Sequence, residues 1–277
     1  MTAPARPVMR YHGGKWRLAP WIIRHFPPHQ AYVEPFGGAA SVLLRKPRAQ
    51  HEVYNDLDEA IVNVFRVLRD PVTAEALRRV CELTPFARVE FEACYGAEVE
   101  DPVERARRTI AATFMAHGTT ARKRNGTGFR AKGIHGLATA AREWAGWPAH
   151  LPAFVERLRG VTIERRPALE VIAQQDSPRT LFYLDPPYPI ATRTSAVSHA
   201  ERAYHFNLTD DEHRELAEVL RTVEGHVVIS GYACDLYDEE LYPDWHRVVR
   251  SANTDGGGLR EEVLWISPSA RRLELFA

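Results

Sequence analysis

Three short apolar runs in this chain stop abruptly on acidic or turn-forming residues, and that pattern restricts the fold more than any other feature. Ala31-Tyr32-Val33-Glu34 breaks on Pro35-Phe36-Gly37-Gly38. Glu52-Val53-Tyr54 breaks on Asn55-Asp56, and Thr180-Leu181-Phe182-Tyr183-Leu184 on Asp185-Pro186-Pro187-Tyr188. Runs of this length, bounded by Gly, Pro, Asn or Asp, read as buried strands. A helical stretch over 39–44 is expected after the first. After the second comes a helix in which Ile61, Val64, Phe65 and Leu68 recur every three to four residues. Thr209-Asp210-Asp211-Glu212 reads as a capping box opening a helix to about Val223, ahead of a strand over 226–230. Val248-Val249 and Val263-Leu264-Trp265-Ile266 supply the closing strands. The alternation predicts an α/β fold with helices on both sides of a sheet.

Between about residues 70 and 160 the texture changes. Helices are expected over 73–83, 86–95, 101–116 and 149–159, interrupted by a loop from His117 to Gly136 rich in Gly, Lys and Arg. A mainly helical block between two strands reads as an inserted domain at 71–160, with 1–70 and 161–277 forming the other. At 45% hydrophobic and 26% charged residues over 277, disorder, collagen and coiled coil are excluded as whole-chain descriptions. No apolar run approaches the roughly 18–20 residues that span a bilayer. The start, MTAPARPVMRYHGG, lacks the apolar core of a signal peptide, so a cytoplasmic protein is expected. Three cysteines without a CxxC pair suit a reducing compartment and supply no zinc framework. The histidines show no ligand spacing, so no metal is expected.

Lys and Arg balance Asp and Glu at 36 each. The distribution is uneven. From Arg105 to His135 there are eight Lys or Arg and no acid, whereas Glu201 to Glu240 holds eleven acids against three Arg. A basic face can attract a polyanion in a chain of zero net charge. Arg122, Lys123, Arg124, Asn125, Arg130 and Lys132 are the candidate contacts; a solvated basic loop would carry the same run.

Each of the three strand ends holds a motif where open α/β sheets bind ligands. In Glu34-Pro35-Phe36-Gly37-Gly38-Ala39-Ala40-Ser41 the small residues permit a tight turn and close backbone approach to a ligand, although a Gly-rich turn with no ligand would look the same. Neither GxGxxG nor GxxxxGK[ST] occurs. Asp56, about 20 residues on, stands where nucleoside sites hold ribose hydroxyls, and Asn55 or Asp56 could equally cap the next helix. Two prolines after Asp185 force a rigid, extended exit. They are expected to hold the Asp185 carboxylate and the Pro186 carbonyl beside an exposed Tyr188 ring.

The order of these motifs resembles that of the Dam-like (D12 class) DNA adenine-N6 methyltransferases: Tyr11-His12-Gly13-Gly14-Lys15, the EPFGG turn, the acid, a target-recognition block, then DPPY. The likeness spans almost the whole chain. It implies a Rossmann-like class I methyltransferase sheet with an inserted, mainly helical target-recognition domain, and S-adenosylmethionine as methyl donor. By position it implies cofactor contacts at Tyr11, Lys15, Glu34, Phe36, Gly37, Gly38, Asp56 and Asp185, and a catalytic set of Asp185, Pro186, Pro187 and Tyr188. The family often has glycine where this chain has Ala40, a difference tolerated if φ stays negative there.

The chemistry so implied is transfer to the N6 amine of adenine in double-stranded DNA. That amine is a poor nucleophile, because its lone pair is delocalised. Acceptors on its hydrogens, Asp185 and the Pro186 carbonyl, would favour the charged tetrahedral transition state. The base would be extruded and stacked on Tyr188, with the loop 189–207 over it. Neither a membrane nor an obligate protein partner is implied. Three alternatives remain open: N4 methylation of cytosine, an RNA substrate, and a DNA-binding relative without catalysis.

Overall fold

The computed structural model describes residues 3–11, 13–117, 128–131, 139–189, 192, 207–253 and 259–274. Strands β1 (Ala31–Glu34), β2 (His51–Asn55), β3 (Val161–Glu164), β4 (Thr180–Leu184), β5 (His226–Tyr232), β6 (His246–Asn253) and β7 (Leu259–Ile266) form one sheet. Their order is β3-β2-β1-β4-β5-β7-β6. The first five are parallel, while β7 runs antiparallel to both β5 and β6. This is a Rossmann-like α/β sheet whose strand order reverses between β1 and β4, which opens a crevice at their carboxyl ends. The edge strand β3 was not foreseen from sequence. Only Val161 of its four residues is buried, too weak an apolar signal to read.

Period two along the strands builds two cores. Tyr32, Tyr54, Leu181, Tyr183 and Val228 face one apolar cluster; their neighbours Val33, Val53, Phe182, Val227 and Ile229 face the other. Helices cover both faces. On the first lie α1 (Ala19–Ile23), α2 (Glu59–Arg69), α3 (Pro71–Leu83), α4 (Arg88–Ala93), α5 (Pro102–Met115), α6 (Ala140–Gly146) and α7 (Leu151–Leu158). On the second lie α8 (Ala168–Gln175), α9 (Asp210–Thr222) and a π-helical segment, Leu236–Leu241. A last helix, α10 (Pro268–Glu274), follows β7. The helical block 71–160 shares its buried residues with the sheet: Leu77, Ile110, Phe114, Trp147 and Phe154 join the cluster that contains Tyr54 and Phe65.

Local chemistry places the helix starts. Thr209 and Glu212 form a reciprocal capping box on α9, as the sequence predicts. On α2 the cap is Asp58, whose carboxylate accepts the Ala60 N–H at 3.1 Å, rather than Asn55 or Asp56. Residues 39–44 are not a helix but a chain of turns. Two side chains compete for the backbone there: Glu34 Oε1 accepts the Leu43 N–H at 2.7 Å, and Arg157 Nη2 donates to the Leu43 carbonyl. Ala40 has φ +52°, so the condition under which its methyl was expected to be harmless is not met. A left-handed alanine costs roughly 1–2 kcal/mol, which the surrounding bonds offset.

Candidate active site

Outside the carboxyl ends of β1, β2 and β4 lies a cavity of about 320 Å³. All eight residues expected to contact a cofactor line it: Tyr11, Lys15, Glu34, Phe36, Gly37, Gly38, Asp56 and Asp185. Pro187 lines it too, whereas Pro186 is buried and not part of the wall. Sequence reasoning missed Leu57 and Leu169, which add apolar wall from the end of β2 and the start of α8.

The Gly turn is tied down from both sides. Gly38, at φ +46°, donates its N–H to Asp56 Oδ2 at 2.8 Å, and its carbonyl accepts the Tyr54 hydroxyl at 2.7 Å. Asp56 Oδ1 accepts the Asp58 N–H at 2.8 Å. Asp56 thus staples the turn to the start of α2, and a ribose hydroxyl would use a second lone pair of the same oxygens. Gly37 needs to be small for a reason the sequence did not suggest: a Cβ there would lie 2.2 Å from the Tyr54 ring. Glu34 is fully buried, and its Oε1 accepts from the Tyr32 hydroxyl at 2.6 Å as well as from Leu43. Burial pushes its carboxyl up to about 7, against the opposing pull of those two donors.

At the end of β4 the geometry differs. Asp185 Oδ1 meets the Lys15 ammonium at 3.0 Å and accepts from the Ser230 hydroxyl of β5 at 3.0 Å. Its Oδ2 has no hydrogen-bond partner among the described residues, and the side chain borders the cavity with 21% exposure. One carboxylate oxygen is anchored, and the other is left to accept a proton donor from the cavity.

Tyr188 is a correction. It was expected to be exposed, but the ring is only 6% exposed. Its hydroxyl donates to Glu262 Oε1 at 2.6 Å, its ring meets Tyr232 edge-on at 4.7 Å, and the Lys15 ammonium lies 4.9 Å from its centroid. The aromatic ring therefore packs against Tyr232 and the Lys15 ammonium instead of standing in solvent. Neither Glu262 nor Ser230 was singled out from sequence. A signal for Glu262 existed: it shares its face of β7 with Leu264 and Ile266, and a carboxylate at an inward position of an apolar strand is unusual.

The basic run divides. Arg105 pairs with Glu59, Arg107 with Glu104 and Glu90, and Arg108 with Glu104. These three arginines neutralise acids at and around α5, so they do not extend the expected basic face. Arg130 lies 3.4 Å from Glu143. Arg122, Lys123, Arg124, Asn125 and Lys132 lie outside the described residues, as do 193–206 of the loop after DPPY. Among the described residues no group of His, Cys, Asp or Glu is placed to hold a metal ion, and no helix is long and apolar enough to cross a membrane.

The strand order and the crevice at its reversal define a Rossmann-like α/β architecture with the DPPY corner at its ligand edge. Residues 11–115, which carry YHGGK, EPFGG and Asp56, match the model of the D12 class N6 adenine-specific DNA methyltransferase family. The chain is also similar to the DNA adenine methylase of Salmonella typhi, 25% identical over 279 residues that cover 93% of this chain and 92% of that protein. The DNA adenine methylase of Escherichia coli K12 is 23% identical over 272 residues, with the same coverage. A solved structure, precorrin 8W decarboxylase from Methanobacterium thermoautotrophicum, aligns over 90% of this chain and 88% of its own at 11% identity and a TM-score of 0.33, a likeness that carries no argument.

Proposed function

We propose that this protein transfers a methyl group from S-adenosylmethionine to the N6 amine of adenine in double-stranded DNA. The observation that carries the reading is the Asp185 carboxylate, with one oxygen held by Lys15 and Ser230 and the other left for a donor from the cavity. The cofactor would supply an electrophilic methyl on a sulfonium. The wall chemistry fits it: Asp56 offers acceptors for ribose hydroxyls, Phe36, Leu57 and Leu169 offer apolar surface for a purine, and the Gly turn offers backbone.

In this reading Asp185 Oδ2 accepts a hydrogen of the amine and draws electron density onto nitrogen as positive charge develops there. The Pro186 carbonyl would be the second acceptor, a role that requires Pro186, buried off the cavity wall in this structure, to be uncovered. Lys15, 3.0 Å from the other Asp185 oxygen, keeps that carboxylate oriented. The adenine reaches the site by extrusion from the duplex, since N6 is not accessible to this geometry within the stack. The Tyr188 ring is covered in this structure, so stacking of the base on it requires that it first be uncovered. Phosphate contacts from Arg122, Lys123, Arg124, Asn125, Arg130 and Lys132 would position the duplex. The helical block 71–160 would then act as the target-recognition domain.

The test is incorporation of labelled methyl into duplex DNA, followed by digestion to nucleosides. N6-methyldeoxyadenosine is the expected product. N4-methyldeoxycytidine would overturn the base assignment. No incorporation, with no cofactor binding, would leave only a DNA-binding relative.

A further inference from the structure

Glu262 lies on β7, the antiparallel strand, far along the chain from every motif that forms the cavity. It is 3% exposed. Its Oε1 accepts the Tyr188 hydroxyl at 2.6 Å and faces the Lys15 ammonium at 3.5 Å, while the same ammonium lies 3.0 Å from Asp185 Oδ1. Lys15 also donates to the Gly13 carbonyl at 2.8 Å. Lys15 is therefore shared between a carboxylate at the end of β4 and one on β7, and Tyr188 touches both the ammonium, through its ring, and Glu262, through its hydroxyl.

We infer that Glu262 is a positioning residue of this site, acting through Lys15 and Tyr188 on Asp185. The inference rests on the reading of Asp185 as the acceptor for the amine.

The physical reason is charge division. A buried ammonium facing a single carboxylate closes onto it, and the negative charge of that carboxylate is spent inside the pair. A second carboxylate divides the ammonium, so Asp185 retains negative charge for the cavity. The arrangement also makes the site more anionic by one charge, which favours a cationic donor and a transition state that develops positive charge on nitrogen. A buried carboxylate is held at a cost: burial pushes the Glu262 carboxyl above its usual range, Asp185 pushes it further, and Lys15 pulls it back. An apolar residue would suit this inward position of β7 if packing alone were at stake. The Tyr188 hydroxyl bond adds a second function. It fixes the last residue of DPPY, and with it the direction in which the Pro186-Pro187 segment leaves β4.

The experiment compares single-turnover methyl transfer by the full chain and its variants on duplex DNA, with KM for both substrates and thermal unfolding measured alongside. Glu262→Gln keeps the shape and an oxygen for the Tyr188 hydroxyl but removes the charge. The transfer rate is expected to fall about 100-fold, the size of effect seen when a reacting geometry slips by about 1 Å. KM for DNA should stay within about threefold, because the duplex is held elsewhere. Glu262→Asp, which restores the charge, should recover at least about tenfold of that loss. In a Lys15→Met background the Glu262→Gln loss should nearly vanish, since residues that act through one another are not additive. Tyr188→Phe leaves every charge in place and tests the other arm. It is expected to cost about tenfold, in line with loss of one hydrogen bond to a charged group. A Glu262→Gln rate within about twofold of the parent, or a loss that adds fully to that of Lys15→Met, would overturn the inference while leaving the functional reading intact. A parent chain that methylates no adenine would overturn both.

Discussion

Two buried lysines meet carboxylates in this protein, at opposite ends of the same core, with different consequences. Beneath the Gly turn, Lys46 donates to Glu52 Oε1 at 2.7 Å and to the Pro47 carbonyl at 2.6 Å, and lies 4.3 Å from the Tyr32 ring centroid. Arg157, from α7, grips the same carboxylate with two bonds, at 2.6 and 2.9 Å, and also donates to the Leu43 carbonyl. Both Glu52 oxygens are occupied. Burial pushes its carboxyl upward, but the bonds from Arg157 and Lys46 outweigh that and hold it below the usual range. At the other cluster the donors run short: Asp185 keeps one oxygen open, and the Glu262 carboxyl is raised. A buried carboxylate with both oxygens taken braces the turn, whereas one with an open oxygen beside a cavity is available for chemistry.

The sharpest break in that comparison would come from Asp185→Ala. Turnover is expected to fall by about 10³-fold or more, in line with loss of a transition-state contact, and thermal unfolding should hardly move. Substantial residual transfer would mean that the open oxygen is not the acceptor. Glu52→Gln should behave in the reverse way. Stability is expected to drop by about 3–5 kcal/mol because two buried cations lose their counter-charge. Urea unfolding measures this, and the rate per folded molecule should hold. A loss of rate without a loss of stability would erase the distinction between brace and site.

Glu34 offers the finest test. Its carboxyl is raised from 4.5 to about 7 in the folded chain, so the folded state holds a proton that the unfolded state has released over that interval. Stability from this group is therefore present at low pH and lost as pH rises from about 4.5 to about 7, by up to about 3 kcal/mol. Glu34→Gln should flatten this slope when urea midpoints are compared at pH 5 and pH 7.5. An unchanged slope would show that Glu34 stays ionised and belongs with Glu52.

Much of the fold was legible because its signals are local. The strand runs at 31, 52, 180 and 226, the capping box at Thr209 and the turn residues after each strand all appear where expected. The strand-end part of the cavity lining followed from them, since strand ends converge in a parallel sheet, whereas Tyr11 and Lys15 were implied only by the family resemblance. What failed depended on partners from afar. The helix expected over 39–44 gave way to turns because Glu34 and Arg157 take both polar groups of Leu43. Arg105, Arg107 and Arg108 looked like a basic face until Glu59, Glu90 and Glu104 were found against them. Tyr188 looked exposed until β7 brought Glu262 to its hydroxyl.

Read alone, the chain settled which residues stand at the strand ends, because period two, capping and turn chemistry involve only near neighbours. It did not say which oxygen of Asp185 would be open. That depends on Lys15 from the amino-terminal segment and Ser230 from β5 each arriving 3.0 Å from the other oxygen, and on Glu262 from β7 arriving 3.5 Å from Lys15. Hydrogen-bond saturation belongs to the assembled neighbourhood, so only the tertiary structure could decide it.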